Sequence, residues 1–212
     1  MASKLIHDFV NRTPIKSLLT SNRFFVRFYF NLLYFGKNSY KVVNREQRAK
    51  VEQAFALLDG FRAEDALELG CGDGRWAAIT AGIADHVVAI DISDLAIQRA
   101  RAQTKLANVD FRQGDLASMS FPPQSFDFIF CAEVLYYLTL EQLDNTVAQI
   151  NELLRPGGKL LLLHARSLKD DERGMQLKEF GAKTVHDKFS ASPLELEKDV
   201  LEDEYRISIY RR

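Results

Sequence analysis

An α/β fold built around a parallel sheet is predicted by three observations. Short apolar runs alternate with helical patterns from Asp65 onward, a glycine cluster stands directly behind the first run, and Phe126-Asp127-Phe128-Ile129-Phe130-Cys131 is apolar enough to be covered on both faces. Such alternation marks βαβ units, and a strand buried on both faces belongs at the centre of a parallel sheet.

The elements follow in order. Ala66-Leu67-Glu68-Leu69 reads as the first strand, stopped by Gly70-Cys71-Gly72-Asp73-Gly74, with a helix over about residues 75–82 behind it. His86-Val87-Val88-Ala89-Ile90 is the second strand and ends at Asp91; Ser93 or Asp94 then caps a helix reaching about Thr104. Val109-Asp110-Phe111-Arg112 forms a short third strand ending at Gly114-Asp115, and residues 126–131 are the fourth. Residues 141–154 place Leu143, Val147, Ile150 and Leu154 close to helical period, Pro156-Gly157-Gly158 stops that helix, and residues 159–164 form the fifth strand. A helix near residues 171–180 and two alternating runs, 194–200 and 205–210, complete the chain; the short polar Glu202-Asp203-Glu204 joins the runs into an edge hairpin.

A formal net charge of -1 conceals an asymmetry: residues 1–50 carry ten Lys/Arg against Asp8 and Glu46, whereas the remainder carries 18 Lys/Arg against 27 Asp/Glu. A basic, aromatic arm (1–50) thus precedes an acidic body (51–212). In the arm, Phe24, Phe25, Phe28, Tyr29, Leu32 and Leu33 recur at helical spacing opposite Arg23, Arg27 and Asn31, and Gly36 is a natural stop, which predicts a helix over about residues 22–35. Its expected role is a lid packing its aromatic face on the body; peripheral membrane contact through residues 16–36 is the competing role. Arg23 and Arg27 lie within the most apolar window and argue against a transmembrane span. Nucleic acid is not an expected partner, since the acidic body repels phosphates. Two cysteines, Cys71 and Cys131, allow one bridge at most, and no Cys/His cluster has zinc spacing, so the expected setting is reduced and cytoplasmic, without a metal. No feature fixes an oligomeric state.

Ligands of an open α/β sheet lie beyond the carboxyl ends of its strands, and this chain places chemistry at four of them. The glycine loop follows the first strand; Asp91, able to accept both hydroxyls of a ribose, follows the second; Asp115 and Leu116, suited to an adenine edge, follow the third; Cys131-Ala132-Glu133 follows the fourth. The glycines read GxGxG rather than the dinucleotide GxGxxG, whose third glycine is replaced by Arg75, and no Walker loop is present.

Five spaced segments resemble class I S-adenosylmethionine-dependent methyltransferases: Leu67-Glu68-Leu69-Gly70-Cys71-Gly72-Asp73-Gly74, Val88-Ala89-Ile90-Asp91-Ile92-Ser93, Gly114-Asp115-Leu116, Phe126-Asp127-Phe128-Ile129 and Leu154-Arg155-Pro156-Gly157-Gly158. The resemblance implies a Rossmann-like seven-stranded sheet whose last strand is antiparallel, binding S-adenosylmethionine. Glu68, Gly70, Cys71, Gly72 and Gly74 would then surround its methionine part, Asp91 its ribose, and Asp115 and Leu116 its adenine, with Trp76, Ile92 and Ala132 completing the cofactor set. Within that superfamily, Ala132-Glu133-Val134-Leu135-Tyr136-Tyr137-Leu138 and the Pro-Gly-Gly-Lys-Leu segment are most similar to the nodulation-factor N-methyltransferases, whose acceptor is a saccharide amine. The basic aromatic arm departs from that group, which has an Asp-Pro-Trp element in its place.

An amine acceptor needs a neutral lone pair, so a carboxylate near the transferred methyl group serves it. Glu133 is the leading candidate, with a bond to the cofactor loop as its competing role; Tyr136 or Tyr137 can line the methyl channel. His164 is a third candidate, as an acceptor-side base, against a structural role. Cys71 fills a small slot and is not expected to act as a nucleophile. The resulting expectation is methyl transfer to a nitrogen of a small or saccharide-like acceptor. Transfer to an oxygen of a small or lipid-like molecule, or a non-catalytic cofactor-binding module, stand as alternatives.

Overall fold

The computed structural model describes residues 22–35, 45–166 and 180–212. Seven strands form one sheet in the order β3-β2-β1-β4-β5-β7-β6. The strands are β1 (Ala63–Leu69), β2 (Ala84–Asp91), β3 (Val109–Gln113), β4 (Phe126–Ala132), β5 (Leu154–Ala165), β6 (Glu195–Leu201) and β7 (Tyr205–Arg211). The first five pair in parallel, while β7 runs antiparallel to both β5 and β6. The expected class I sheet with an antiparallel last strand is therefore present.

Helices cover both faces. On one side α2 (Arg45–Ala56), α3 (Ala77–Ile83) and α4 (Asp94–Gln103) pack on Ala66, Val87, Ala89, Phe128 and Phe130. On the other, α5 (Leu140–Leu153) and α6 (Ala182–Ser190) cover Leu67, Leu69, Ile129 and Cys131. The alternation in β4 accounts for its central place: Phe128 and Ile129 point to opposite faces, and both are 0% exposed.

Local chemistry sets the element ends. Ser93 caps α4 by accepting from the Ala96 amide, and Thr139 and Gln142 form a reciprocal capping box on α5. Several elements differ from the sequence reading. Strand β5 already starts at Leu154, so Pro156-Gly157-Gly158 lies within it rather than between α5 and a strand beginning at residue 159. Helix α3 begins at Ala77 rather than residue 75, because Trp76, which offers no side-chain cap, occupies its N-cap behind the glycine turn. Helix α2 has no counterpart in that reading: polar residues outnumber its apolar ones, and of its described side chains only Val51 and Ala54 are buried. The expected helix near residues 171–180 falls almost wholly outside the described residues, as do Gly36 and residues 16–21.

Helix α1 (Arg23–Tyr34) forms where expected, with Asn22 accepting from the Phe24 amide. Its orientation is a correction. Phe24, Phe25 and Phe28 do not pack on the body but are 72%, 46% and 53% exposed. Val26, Tyr29 and Tyr34 are buried instead, and Phe30 and Leu33 pack inward beside them. The stripe expected to face outward docks too, beside Tyr29 and Leu33 of the expected apolar face. Arg23 binds Asp115 through two bonds of 2.6 and 2.7 Å, Arg27 pairs with Asp94 at 2.6 Å, and Asn31 accepts from the Ser93 hydroxyl and the Leu95 amide. Carboxylates at the ends of β2 and β3 thus turn the cationic edge of the helix toward the body.

The burial of β4 on both faces yields a test. Phe128→Ala and Ile129→Ala should each lower unfolding free energy by about 2–5 kcal/mol in urea titrations, because each leaves a cavity. A strand with one wet face would tolerate one of the two changes.

Candidate active site

A cavity of about 330 Å³ opens at the carboxyl ends of β1, β2 and β4. Its floor is the loop after β1. Gly70 and Gly72 adopt φ of 72° and 56°, a region that costs other residues free energy. A side chain at Gly70 would lie 2.5 Å from Val134, and one at Gly72 would lie 2.6 Å from the Tyr34 hydroxyl. The loop is tied down by the Gly70 and Cys71 amides, which both donate to Ile90 O at 2.8 and 3.0 Å.

Asp91 holds the next edge. One carboxylate oxygen accepts from the Gly72 amide at 2.9 Å and the other from the Ser93 amide at 2.8 Å, so a single side chain fixes the glycine loop against the end of β2. It lines the cavity although only 8% exposed. Burial pushes its pKa up to about 6, against the two amides, which favour the ionised form. Each oxygen keeps accepting capacity for a further donor.

At the far side Glu133 stands in left-handed backbone geometry, with φ of 56°. Such a residue is strained and persists where its surroundings hold it. The Glu133 amide donates to Leu163 O at 2.9 Å, and its carboxylate accepts from the Tyr136 hydroxyl and the Ala165 amide. Glu133, Tyr136 and Tyr137 all line the cavity, and Phe30 of α1 meets the Tyr137 ring edge-on at 5.0 Å. Among the other expected residues, Cys71, Trp76, Ile92, Leu116 and Ala132 are also on the wall. Burial raises the Cys71 thiol well above its ordinary pKa, which suits a passive wall.

Four expected residues stand elsewhere. His164 is 2% exposed and off the wall; its Nε2 accepts from the Leu135 amide at 3.4 Å, and its ring lies edge-on to Tyr136. That nitrogen is directed at the Leu135 amide rather than into the cavity. Glu68 is buried behind the loop, where Thr80 donates to one oxygen at 2.8 Å and the other oxygen has no partner. Gly74 is set away from the cavity, where a side chain would press on Phe111 and Ala100. Asp115 is turned to Arg23 and also caps the Ala117 amide, leaving Leu116 alone of that pair on the wall.

Helix α1 roofs the cavity; the sequence reading gave it as a lid without naming the residues that line the cavity. Arg23, Val26, Phe30 and Tyr34 of α1 line the cavity at helical spacing, and Arg23 Nη1 is buried without a hydrogen-bond partner. Gln47 and Lys50 of α2 and Glu204 and Tyr205 of the hairpin form the remaining rim, with Lys50 pairing to Glu204 at 2.6 Å. The α1 positions were readable as a helical stripe; the α2 and hairpin positions carry no local motif.

Comparisons with known proteins agree with the fold. Residues 66–158 match the family described as methyltransferase domain. Nodulation protein S of Bradyrhizobium diazoefficiens is 30% identical over 138 residues, 64% of each chain. Phosphoethanolamine N-methyltransferase 1 of Triticum aestivum is 29% identical over 126 residues, covering 58% of this chain and 25% of that enzyme. The chain thus spans less than two thirds of the length of these relatives. The crystal structure of N-methyltransferase NodS from Bradyrhizobium japonicum WM9 in complex with S-adenosyl-L-homocysteine shares the fold, with a TM-score of 0.76 and 23% identity over 88% of this chain and 97% of that one.

The buried carboxyls give a pH test. Burial raises Glu68 from the ordinary 4.5 to about 7, and Asp91 shifts in the same direction. The fold therefore favours the protonated groups: their contribution is complete below the unfolded values and is lost as pH rises through about 7 and about 6. Glu68→Gln keeps an acceptor for Thr80 and removes the buried charge. It should match wild type near pH 4 and exceed its unfolding free energy by about 2–3 kcal/mol near pH 8. A variant no more stable there would contradict this.

Proposed function

We propose that this chain, which carries a methyltransferase domain over residues 66–158 on the class I methyltransferase sheet, moves a methyl group from S-adenosylmethionine to a nitrogen of a small or saccharide-like acceptor. The observation that carries the reading is Asp91, a cavity-lining carboxylate fixed by the Gly72 and Ser93 amides, with both oxygens still able to accept. Two adjacent hydroxyls of a ribose are the complementary donors. Gly70 and Gly72 provide the close backbone approach that the methionine part needs, and Ile92 and Leu116 offer apolar walls for an adenine ring. In this reading Asp115 acts as a positioning residue: it holds Arg23, whose unpartnered Nη1 is the donor left for a ring nitrogen.

The sulfonium of S-adenosylmethionine supplies an already activated methyl carbon, so the protein's task is alignment, exclusion of water and control of one proton. Trp76 and Tyr136 wall the cavity, and Glu133 faces it with its carboxylate held by Tyr136 and Ala165. Glu133 is suited to accept a hydrogen bond from an acceptor amine, orient its lone pair and take up its proton. Support for nitrogen rather than oxygen comes from this carboxylate, from the relative named phosphoethanolamine N-methyltransferase 1 and from the fold neighbour described as N-methyltransferase NodS.

Asp91→Ala should weaken S-adenosylhomocysteine binding about 10- to 100-fold in calorimetry, the loss of hydrogen bonds to a charged group. Normal binding by the variant would remove the ribose assignment. Glu133→Gln should retain that binding and lower kcat about 10²- to 10⁴-fold. An acceptor screen with isotope-labelled cofactor, read by mass spectrometry, locates the methylated atom; label on oxygen would overturn the nitrogen reading.

A further inference from the structure

Helix α1 has two apolar faces, and only one is used by the body. Val26, Tyr29, Phe30, Leu33 and Tyr34 point inward. At about 100° per residue, Phe24, Phe25, Phe28 and Leu32 gather on the opposite side, and Phe35 at the C-cap continues their line. The four phenylalanines are 46–76% exposed. Isolated exposed aromatics are ordinary on a soluble surface, but a contiguous stripe of them marks an interaction surface. Burial of Val26, Tyr29 and Tyr34, with the bonds of Arg23, Arg27 and Asn31 to Asp115, Asp94, Ser93 and Leu95, holds this stripe outward.

Charge identifies the occupant. The stripe lies within the fifty residues that carry ten Lys/Arg against two acidic groups, while the rest of the chain has an acidic excess. Arg23 and Arg27 are paired to Asp115 and Asp94, so the excess comes from Lys4, Arg12, Lys16, Lys37 and Lys41, which flank the stripe in sequence. An aromatic helix face between basic flanks is complementary to an anionic lipid surface, which repels the acidic body and so selects the face that docks. Among the described residues no helix is long and apolar enough to cross a membrane, so the fitting geometry is a helix lying in the interface plane.

We propose that Phe24, Phe25, Phe28 and Phe35 form a docking surface for anionic phospholipid bilayers. The helix that meets the lipid is also the one that roofs the cavity through Arg23, Val26, Phe30 and Tyr34. Docking is independent of the acceptor's identity.

The test is co-sedimentation of the full chain with vesicles of phosphatidylcholine alone, or of phosphatidylcholine mixed with phosphatidylglycerol, at low and high salt. The wild type is expected to sediment with the phosphatidylglycerol vesicles at low salt and to be released by high salt. The Phe24→Ser/Phe28→Ser variant is expected to lose about tenfold or more of that partitioning with unchanged thermal unfolding and S-adenosylhomocysteine binding. Absence of sedimentation with phosphatidylglycerol vesicles, or equal sedimentation of the variant, would overturn the proposal. So would sedimentation equilibrium showing a wild-type dimer that the variant dissolves, since a second copy would then cover the stripe.

Discussion

The site depends on the Asp91 carboxylate. Its two oxygens join the Gly72 amide to the Ser93 amide, and from Ser93 the connection continues to Asn31 of α1. Floor, edge and roof of the cavity are therefore linked through one buried acid. The arrangement costs stability, because a carboxylate taken out of water favours its protonated form. That cost is tolerable only because two backbone amides partly replace the lost hydration. Together with the two bonds to Ile90 O, this anchor makes the glycine loop a fixed wall.

Much of this was legible in the chain. The apolar alternation of β1, β2 and β4 and the punctuation by glycine and proline are local signals, and they located the strands to within a few residues. Asp91, Leu116 and Glu133 reach the cavity wall because parallel topology places strand ends on one edge. What escaped was set by tertiary competition. The helical period of α1 showed that it had an apolar side and a polar side, but which side docks depended on Asp94 and Asp115, distant acids whose position only the fold reveals. His164 looked available at a strand end until the Leu135 amide claimed its Nε2. Asp115 kept its predicted place but spends its oxygens on Arg23. The rim residues Lys50 and Glu204 meet across 154 positions of sequence, a separation no short motif records.

The charge asymmetry acquires a structural meaning from the same contacts. Arg23 and Arg27 are drawn from the basic arm onto carboxylates of the acidic body, so part of the arm's charge fastens the roof in place. The Arg23–Asp115 pair is partly buried, so desolvation offsets much of its attraction, and the Arg27–Asp94 pair is exposed and screened by water; both contribute mainly by fixing geometry. Their effect here is to set the rotation of α1, which puts Phe30 and Tyr34 over the cavity and leaves Phe24 and Phe28 outside.

The central claim is that the ionised Asp91 receives a ribose. Its most direct test is the pH dependence of S-adenosylhomocysteine affinity, measured by calorimetry from about pH 5 to about pH 8. With the Asp91 pKa near about 6, affinity should be level above neutrality and fall as pH drops through that value, approaching about tenfold per unit at the acid end as the acceptor oxygens are lost to protonation. An affinity unchanged across that range, in a protein that stays folded, would contradict the account.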